Sequence, residues 1–269
     1  MTADAPLVDS HFHVYTTDMP LTATAWHKPP EDATIARMIE TLDANGVTFG
    51  VLAAASLYGT YNDYMLEALR RHRRLRATAI VSPTISRHEL EALDREGFVG
   101  IRFQFRNVAE PPDLSGPEHR MLLRRIADLG WHVHLNDDGP RLPRAIAALE
   151  AAGVKLVIDH FGHPDAAQGV DGAGFRATLA AIERGRTWVK LSAGYRLKPP
   201  ATAKTYAAAL LKVAGGDRLL WGSDWPFAGF ETTVRYADTI ADLAAWVPDL
   251  ATRRQITGET PLKLYFART

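Results

Sequence analysis

Apolar and polar positions along this chain follow two alternating periods. Short apolar runs that are typical of buried strands alternate with segments in which apolar residues recur every three or four positions, as on one face of a helix. Glycines such as Gly46, Gly130 and Gly185 end six of these helical segments just before the next apolar run. The eight predicted strands cover residues 7–14, 47–55, 75–82, 98–105, 131–136, 155–162, 187–194 and 218–226.

Strict alternation of strands and helices predicts a parallel sheet covered by helices. Eight such units favour a closed (β/α)8 TIM barrel over an open doubly wound sheet, and a chain of 269 residues matches the usual barrel length of about 250. Ser86 and Glu89 predict a capping box at one helix start. Residues 231–269 are helical in pattern, with interruptions. We therefore predict an α/β fold: a single barrel domain over residues 1–269 with a C-terminal helical extension.

Composition narrows the functional classes. Lys plus Arg equals Asp plus Glu at 31 each, so no basic field for nucleic acid or an anionic membrane is indicated. The chain has no cysteine, which excludes disulfides, thiolate nucleophiles and cysteine-ligated metals. Residues 1–6 lack the features of a signal peptide, and no apolar run reaches membrane-spanning length. We expect a cytoplasmic protein, and the sequence leaves its oligomeric state open.

The first strand carries unusual polar side chains. Side chains alternate across a strand, so Asp9, His11 and His13 are predicted to share one face. Two imidazoles and a carboxylate are costly to bury unless they are paired or take part in chemistry. A lone His-x-His pattern is as consistent with hydrogen-bonded core histidines as with a functional site.

Polar side chains also end the other predicted strands. Catalytic groups of such barrels lie at the carboxyl ends of strands, so these side chains are expected to converge on one pocket. Each has a structural alternative, such as a salt bridge for an arginine or a satisfied core position for a histidine. The strand-end set is His11, His13, Ser56, Arg102, Gln104, His134, Asn136, Asp159, His160, Lys190, Ser192 and Asp224.

Three of these segments carry a family resemblance. His-Phe-His at residues 11–13, Asp-His-Phe-Gly at 159–162 and Trp-Gly-Ser-Asp-Trp-Pro at 221–226 resemble the amidohydrolase superfamily. Within that superfamily, the chain is similar to the branch that contains 2-pyrone-4,6-dicarboxylate lactonase, and the likeness covers almost the whole sequence. The resemblance implies a lactone hydrolase on a (β/α)8 barrel.

The resemblance also implies roles for individual residues. Asp224 is implied as the general base that activates water, and His11, His13 and His160 as the groups that polarise the lactone carbonyl. Carboxylates can accept protons and imidazoles can face developing negative charge, which agrees with these roles. The implied substrate-binding residues are Ser56, Arg102, Asn136 and Arg196.

Three positions depart from the family pattern. Asn136 stands where the branch has a tyrosine, Val108 where it has an arginine, and Phe227 where it has a histidine. Because Arg102 and Arg196 are retained, and a guanidinium grips a carboxylate in a bidentate fork, the substrate is expected to be a small acidic lactone other than the pyrone dicarboxylate.

Two alternative functions are consistent with the same residues. One is a sugar-acid lactone isomerase, in which the base acts on a substrate hydroxyl. The other is a metal-dependent decarboxylase of the aminocarboxymuconate-semialdehyde type. We expect no required cofactor, but one divalent zinc or manganese ion is the alternative, and its ligands would be His11, His13, His134 and Asp224.

Overall fold

The computed structural model describes residues 6–267 and confirms the predicted TIM barrel. All eight predicted strands are present: β1 (Leu7–Phe12), β2 (Val47–Ala53), β3 (Leu75–Ala79), β4 (Phe98–Gln104), β5 (His132–Asn136), β6 (Lys155–Ile158), β7 (Thr187–Ser192) and β8 (Leu219–Gly222). The α-helices of the described chain are α1 (Ile35–Ala44), α2 (Asp63–Arg71), α3 (Arg87–Glu96), α4 (Pro117–Asp128), α5 (Leu142–Ala151), α6 (Ala173–Glu183), α7 (Ala203–Ala214), α8 (Tyr236–Trp246) and α9 (Leu250–Arg254).

The strands form one parallel sheet in sequence order, from β1 to β8. Backbone hydrogen bonds close it into a barrel: Asp224 N donates to His11 O, and His13 N donates to Trp225 O, each over 2.8 Å. The main apolar core lies between the outer faces of the strands and the helices. The closing bonds join the end of β1 directly to the segment after β8.

Several strands are shorter than predicted because the backbone turns sharply at their ends. His160 and Phe161 after β6, Ala193 after β7 and Asp224 after β8 all have positive φ angles, between 53° and 64°. Such left-handed conformations are incompatible with strand pairing and cost roughly 1–3 kcal/mol each, and they concentrate at functional sites.

The capping box predicted at α3 is also present. Ser86 Oγ accepts from Glu89 N over 3.2 Å, and Ser86 N donates to the Glu89 carboxylate over 2.8 Å. The two side chains thus accept hydrogen bonds from backbone donors that the first helical turn leaves unpaired.

The C-terminal extension closes the amino-terminal end of the barrel. After α8 and α9, π-helical turns cover Gln255–Glu259 and Leu262–Phe266. Tyr265 is buried among Val51, Val157 and Leu220, which come from three different strands. No helix within residues 6–267 is long and apolar enough to cross a bilayer. The opposite end of the barrel, where the strands end, carries the candidate site.

Candidate active site

Asp224 is held at the carboxyl end of β8 with one oxygen anchored and the other free. Its Oδ2 accepts from Tyr195 Oη over 2.7 Å and from Arg196 Nε over 2.8 Å. Its Oδ1 faces three imidazoles, and the distances to Nε2 of His11, His13 and His160 are 3.6, 3.7 and 3.6 Å. These distances exceed hydrogen-bond length. Oδ1 is therefore the carboxylate oxygen available for proton transfer.

The charge of Asp224 is fixed by its neighbours. Burial alone would raise the pKa of this carboxyl, but the Arg196 guanidinium and His160 outweigh burial and hold it well below its usual range. Burial and the nearby carboxylate raise the pKa of Tyr195 well above its ordinary value, so Tyr195 remains a donor to Asp224. Asp224 is consequently ionised at neutral pH.

The three imidazoles differ in position and in hydrogen bonding. His13 Nδ1 lies 2.6 Å from the Ala53 carbonyl oxygen, and His160 Nδ1 lies 2.8 Å from Ser192 Oγ. Both rings line the cavity above Asp224. His11 is fully buried, is absent from the described cavity wall, and lies beneath Asp224. Burial lowers the pKa of His11 well below 6.5 and that of His160 to about 4, so both are neutral near pH 7.

A buried ion cluster lies below these imidazoles. Asp159 Oδ1 is 3.1 Å from Lys190 Nζ, and Asp159 Oδ2 accepts from Arg102 Nε over 3.0 Å. Burial would raise the pKa of Asp159, but Lys190, His11 and Arg102 keep it well below its usual range. Burial lowers the pKa of Lys190 to about 8 although Asp159 opposes the shift. The carboxylate is thereby compensated on both oxygens, as a buried charge requires.

Two residues differ from the sequence-based expectation. Asp9 does not join the histidines, because the register of β1 shifts between Asp9 and Phe12. Its carboxylate instead accepts from Ser223 N over 3.0 Å and from Tyr236 Oη of α8 over 2.7 Å. The proposed metal ligand His134 also lies outside the cluster: its Nδ1 is 3.1 Å from Lys190 Nζ, and its Nε2 is 3.3 Å from Tyr265 Oη.

The cavity over Asp224 measures about 320 Å³, and cationic residues outnumber carboxylates in its wall. Its wall includes the predicted substrate-binding residues Ser56, Arg102, Asn136 and Arg196. Both predicted arginines form salt bridges with neighbouring carboxylates, which was their structural alternative. Asn136 Oδ1 is buried and has no hydrogen-bond partner within residues 6–267. That amide oxygen is free to meet a ligand donor.

Sequence reasoning missed three residues of the site. Tyr195 supports Asp224, His163 lines the cavity with an unpartnered buried Nε2, and Lys198 stands exposed at the cavity wall. Lys198 has no ion-pair partner in the described part of the chain. Tyr195 and Lys198 flank Arg196 in sequence, and His163 follows the 159–162 motif, so proximity to predicted residues was the available signal.

The residues suit a metal by type but not by charge. Two groups of the described residues bring potential ligand atoms within 4.8 Å of one another: His11, His13 and Asp224, and His11, Asp159 and His160. Such ligands suit zinc or manganese. However, Lys190 Nζ is 2.8 Å from His11 Nδ1, and Arg196 already neutralises Asp224. A divalent ion would meet these cations at close range, so we derive no step through a metal.

A carboxylate flanked by imidazoles at the carboxyl ends of barrel strands is suited to proton transfer and to polarising a carbonyl group. The family model for amidohydrolases matches residues 8–267, and the chain belongs to that family. The protein is therefore a hydrolase of the amidohydrolase family.

Individual relatives align over nearly the full length. The 4-sulfomuconolactone hydrolase of Hydrogenophaga intermedia is 27% identical, over 96% of this chain and 88% of that protein. The 2-pyrone-4,6-dicarboxylate hydrolase of Comamonas testosteroni is 28% identical, over 97% and 90%. A crystal structure of a probable 2-pyrone-4,6-dicarboxylic acid hydrolase from Acinetobacter baumannii, with citric acid bound, superposes with a TM-score of 0.91 at 30% identity, over 96% and 98%.

Proposed function

We propose that this protein hydrolyses a small acidic lactone, with Asp224 as the base that activates water. The observation that carries the proposal is the free Oδ1 of Asp224, which lies within 3.7 Å of three imidazole nitrogens beneath a basic cavity. The names of the lactone hydrolases that align over the whole chain support the same reaction class.

The cavity wall supports an anionic substrate. Apart from histidines, its charged residues are Arg102, Arg106, Arg196, Lys198 and Asp224, so cations outnumber carboxylates four to one. Each of these three arginines is also paired with a carboxylate, whereas Lys198 is not. An acidic group near Arg196 would offset part of the positive field on Asp224 and raise its proton affinity. The relative from Acinetobacter baumannii was crystallised with citric acid, a polycarboxylate, bound.

The hydrogen bonds of the imidazoles divide their roles. Because a carbonyl oxygen only accepts, the Ala53 contact requires a proton on Nδ1 of His13, and the tautomer with that single proton has Nε2 as an acceptor. His13 is therefore suited to orient the attacking water together with Asp224. Ser192 Oγ can donate to His160 Nδ1, which leaves Nε2–H of His160 to polarise the lactone carbonyl.

Hydrolysis proceeds through a tetrahedral intermediate. The water oxygen bonds to the carbonyl carbon while Asp224 Oδ1 takes one water proton, and the oxyanion that forms accepts from His160. Collapse of the tetrahedral intermediate breaks the ring C–O bond, and Asp224 returns the proton to the departing ring oxygen. The products are an alcohol or enol and a carboxylic acid, which releases its remaining proton to solvent and becomes a carboxylate. We propose that no metal is required, because every charge that develops is met by residues of this chain.

Mass analysis of the products tests the proposal. A panel of acidic lactones, incubated with the purified protein in the presence and absence of a chelator, should yield a chelator-resistant product that has gained one water. A product of unchanged mass would indicate an isomerase instead. Loss of carbon dioxide together with chelator sensitivity would indicate a decarboxylase, and either outcome would overturn the proposal.

A further inference from the structure

Lys190 is the most deeply buried cation near the site, and it takes no part in the proposed hydrolysis. It lies on β7 and is fully buried. Its Nζ is 2.8 Å from His11 Nδ1, 3.1 Å from His134 Nδ1 and 3.1 Å from Asp159 Oδ1. An ammonium group has three N–H donors and no acceptor. Lys190 Nζ hydrogen-bonds to the two imidazole nitrogens, whereas its contact with Asp159 Oδ1 is an ion pair, and that oxygen has no hydrogen-bond partner among the described residues.

The hydrogen bond from Lys190 decides which nitrogen of His11 carries the proton. A neutral imidazole has one N–H and one acceptor nitrogen. Since His11 Nδ1 accepts from Lys190, the proton of His11 must reside on Nε2. The competing arrangement would have His11 Nδ1 donate to Asp159 Oδ1, which is 3.3 Å away. The contact of His11 Nδ1 with Asp159 is longer than its contact with Lys190. A proton on His11 Nδ1 would also lie close to the Lys190 ammonium group, which is 2.8 Å from that nitrogen.

The protonated Nε2 of His11 points towards Asp224. It is buried without a hydrogen-bond partner among the described residues, and it lies 3.6 Å from Asp224 Oδ1. A proton on this nitrogen stabilises the Asp224 carboxylate. Contacts of this length in a free enzyme often shorten when substrate binds.

We propose that Lys190 is a positioning residue: it holds His11 in the Nε2–H tautomer, so that His11 supports the Asp224 carboxylate from below. The tautomer follows from the geometry alone, whereas the consequence for turnover rests on the proposed lactone hydrolysis. His11 thereby differs from His13, whose Ala53 contact fixes the opposite tautomer.

The tautomer is tested directly by long-range ¹H–¹⁵N correlation spectra of the labelled protein, with the His11 signals assigned from a His11→Gln variant. We expect an acceptor-type Nδ1 and a protonated Nε2 for His11, and the reverse for His13. In Lys190→Met, the His11 proton should move to Nδ1 and bond to Asp159. A wild-type spectrum with His11 protonated on Nδ1 overturns the proposal, even if the variant fails to fold.

Turnover provides the second measurement. Lys190→Met should lower kcat at least tenfold and leave KM within about twofold, because neither Lys190 nor His11 lines the described cavity. Lys212→Met, on the exposed face of α7, is the matched control and should change neither the tautomer nor kcat. A Lys190→Met enzyme that folds and retains its kcat overturns the positioning role. If wild type shows the expected tautomer but opens no acidic lactone, the function fails while the tautomer assignment stands.

Discussion

Mild acid should destabilise this protein by protonating its buried histidines. Burial, the largest cause in each case, lowers the pKa of five buried imidazoles below the ordinary value of 6.5. The pKa of His132 falls to about 3 and that of His160 to about 4, and those of His11, His134 and His163 fall well below their usual range. Below pH 6.5 the unfolded chain therefore binds more protons than the folded protein, so the free energy of unfolding decreases as the pH falls.

The magnitude follows from proton linkage. Each histidine that stays neutral in the folded protein lowers the free energy of unfolding by RT ln(1 + 10^(6.5 − pH)), which is about 1.4 kcal/mol at pH 5.5. Five such groups together cost about 7 kcal/mol, which is comparable to the whole stability of a typical domain. Asp159 and Asp224 add nothing in this window, because their pKa values are lowered and their contribution is lost only below about pH 4.

Denaturant titrations at about pH 7.5, 6.5 and 5.5, followed by circular dichroism, measure this loss. His132→Gln removes one buried imidazole outside the catalytic cluster. It should reduce the acid-induced loss of unfolding free energy by about 1.4 kcal/mol. His88→Gln, on the exposed surface of α3, is the control and should leave the loss unchanged. A change of less than about 2 kcal/mol between pH 7.5 and 5.5 would refute the reasoning, since the buried imidazoles would then be protonated in the folded protein.

Three substitutions test other parts of the site. Tyr195→Phe removes a donor to Asp224 Oδ2, so the acid limb of the kcat/KM profile should move up by about one pH unit. Gly222→Ala would place a methyl group 2.5 Å from His11 Cβ, and a denaturant titration should show a loss of about 1–3 kcal/mol, with a lower kcat. Lys198→Glu should raise KM for an acidic lactone about tenfold with kcat unchanged, because Lys198 pairs with no described carboxylate. Unchanged values for these readouts would argue against the respective contacts.

The barrel was predictable because its signals are local and repeated. Eight apolar runs, each followed by a helical pattern, determine the topology even when individual ends are misplaced. The strand ends were overestimated where His160 and Asp224 adopt positive φ angles. Apolar patterning does not report a sharp backbone turn within a run, so such ends are not visible in the sequence.

The site was predictable as a set of residues but not as a set of contacts. Strand-end placement and motif resemblance identify Asp224, His13 and His160 as neighbours. They do not reveal that a register shift in β1 turns Asp9 towards α8, or that Lys190 lies between His11 and His134. Such contacts depend on how neighbouring strands pair and how side chains share a buried space, and neither is encoded locally.

Asp224→Asn is the most direct test of the central claim, since it removes the proposed base and changes almost no volume. With an acidic lactone that the wild type opens, the variant should lose kcat by about 10²–10⁴-fold and keep KM within about threefold. Asp128→Asn, at the exposed end of α4, should behave like wild type. An Asp224→Asn enzyme that retains kcat within tenfold of the wild type would contradict the account, because water would then be activated by another group.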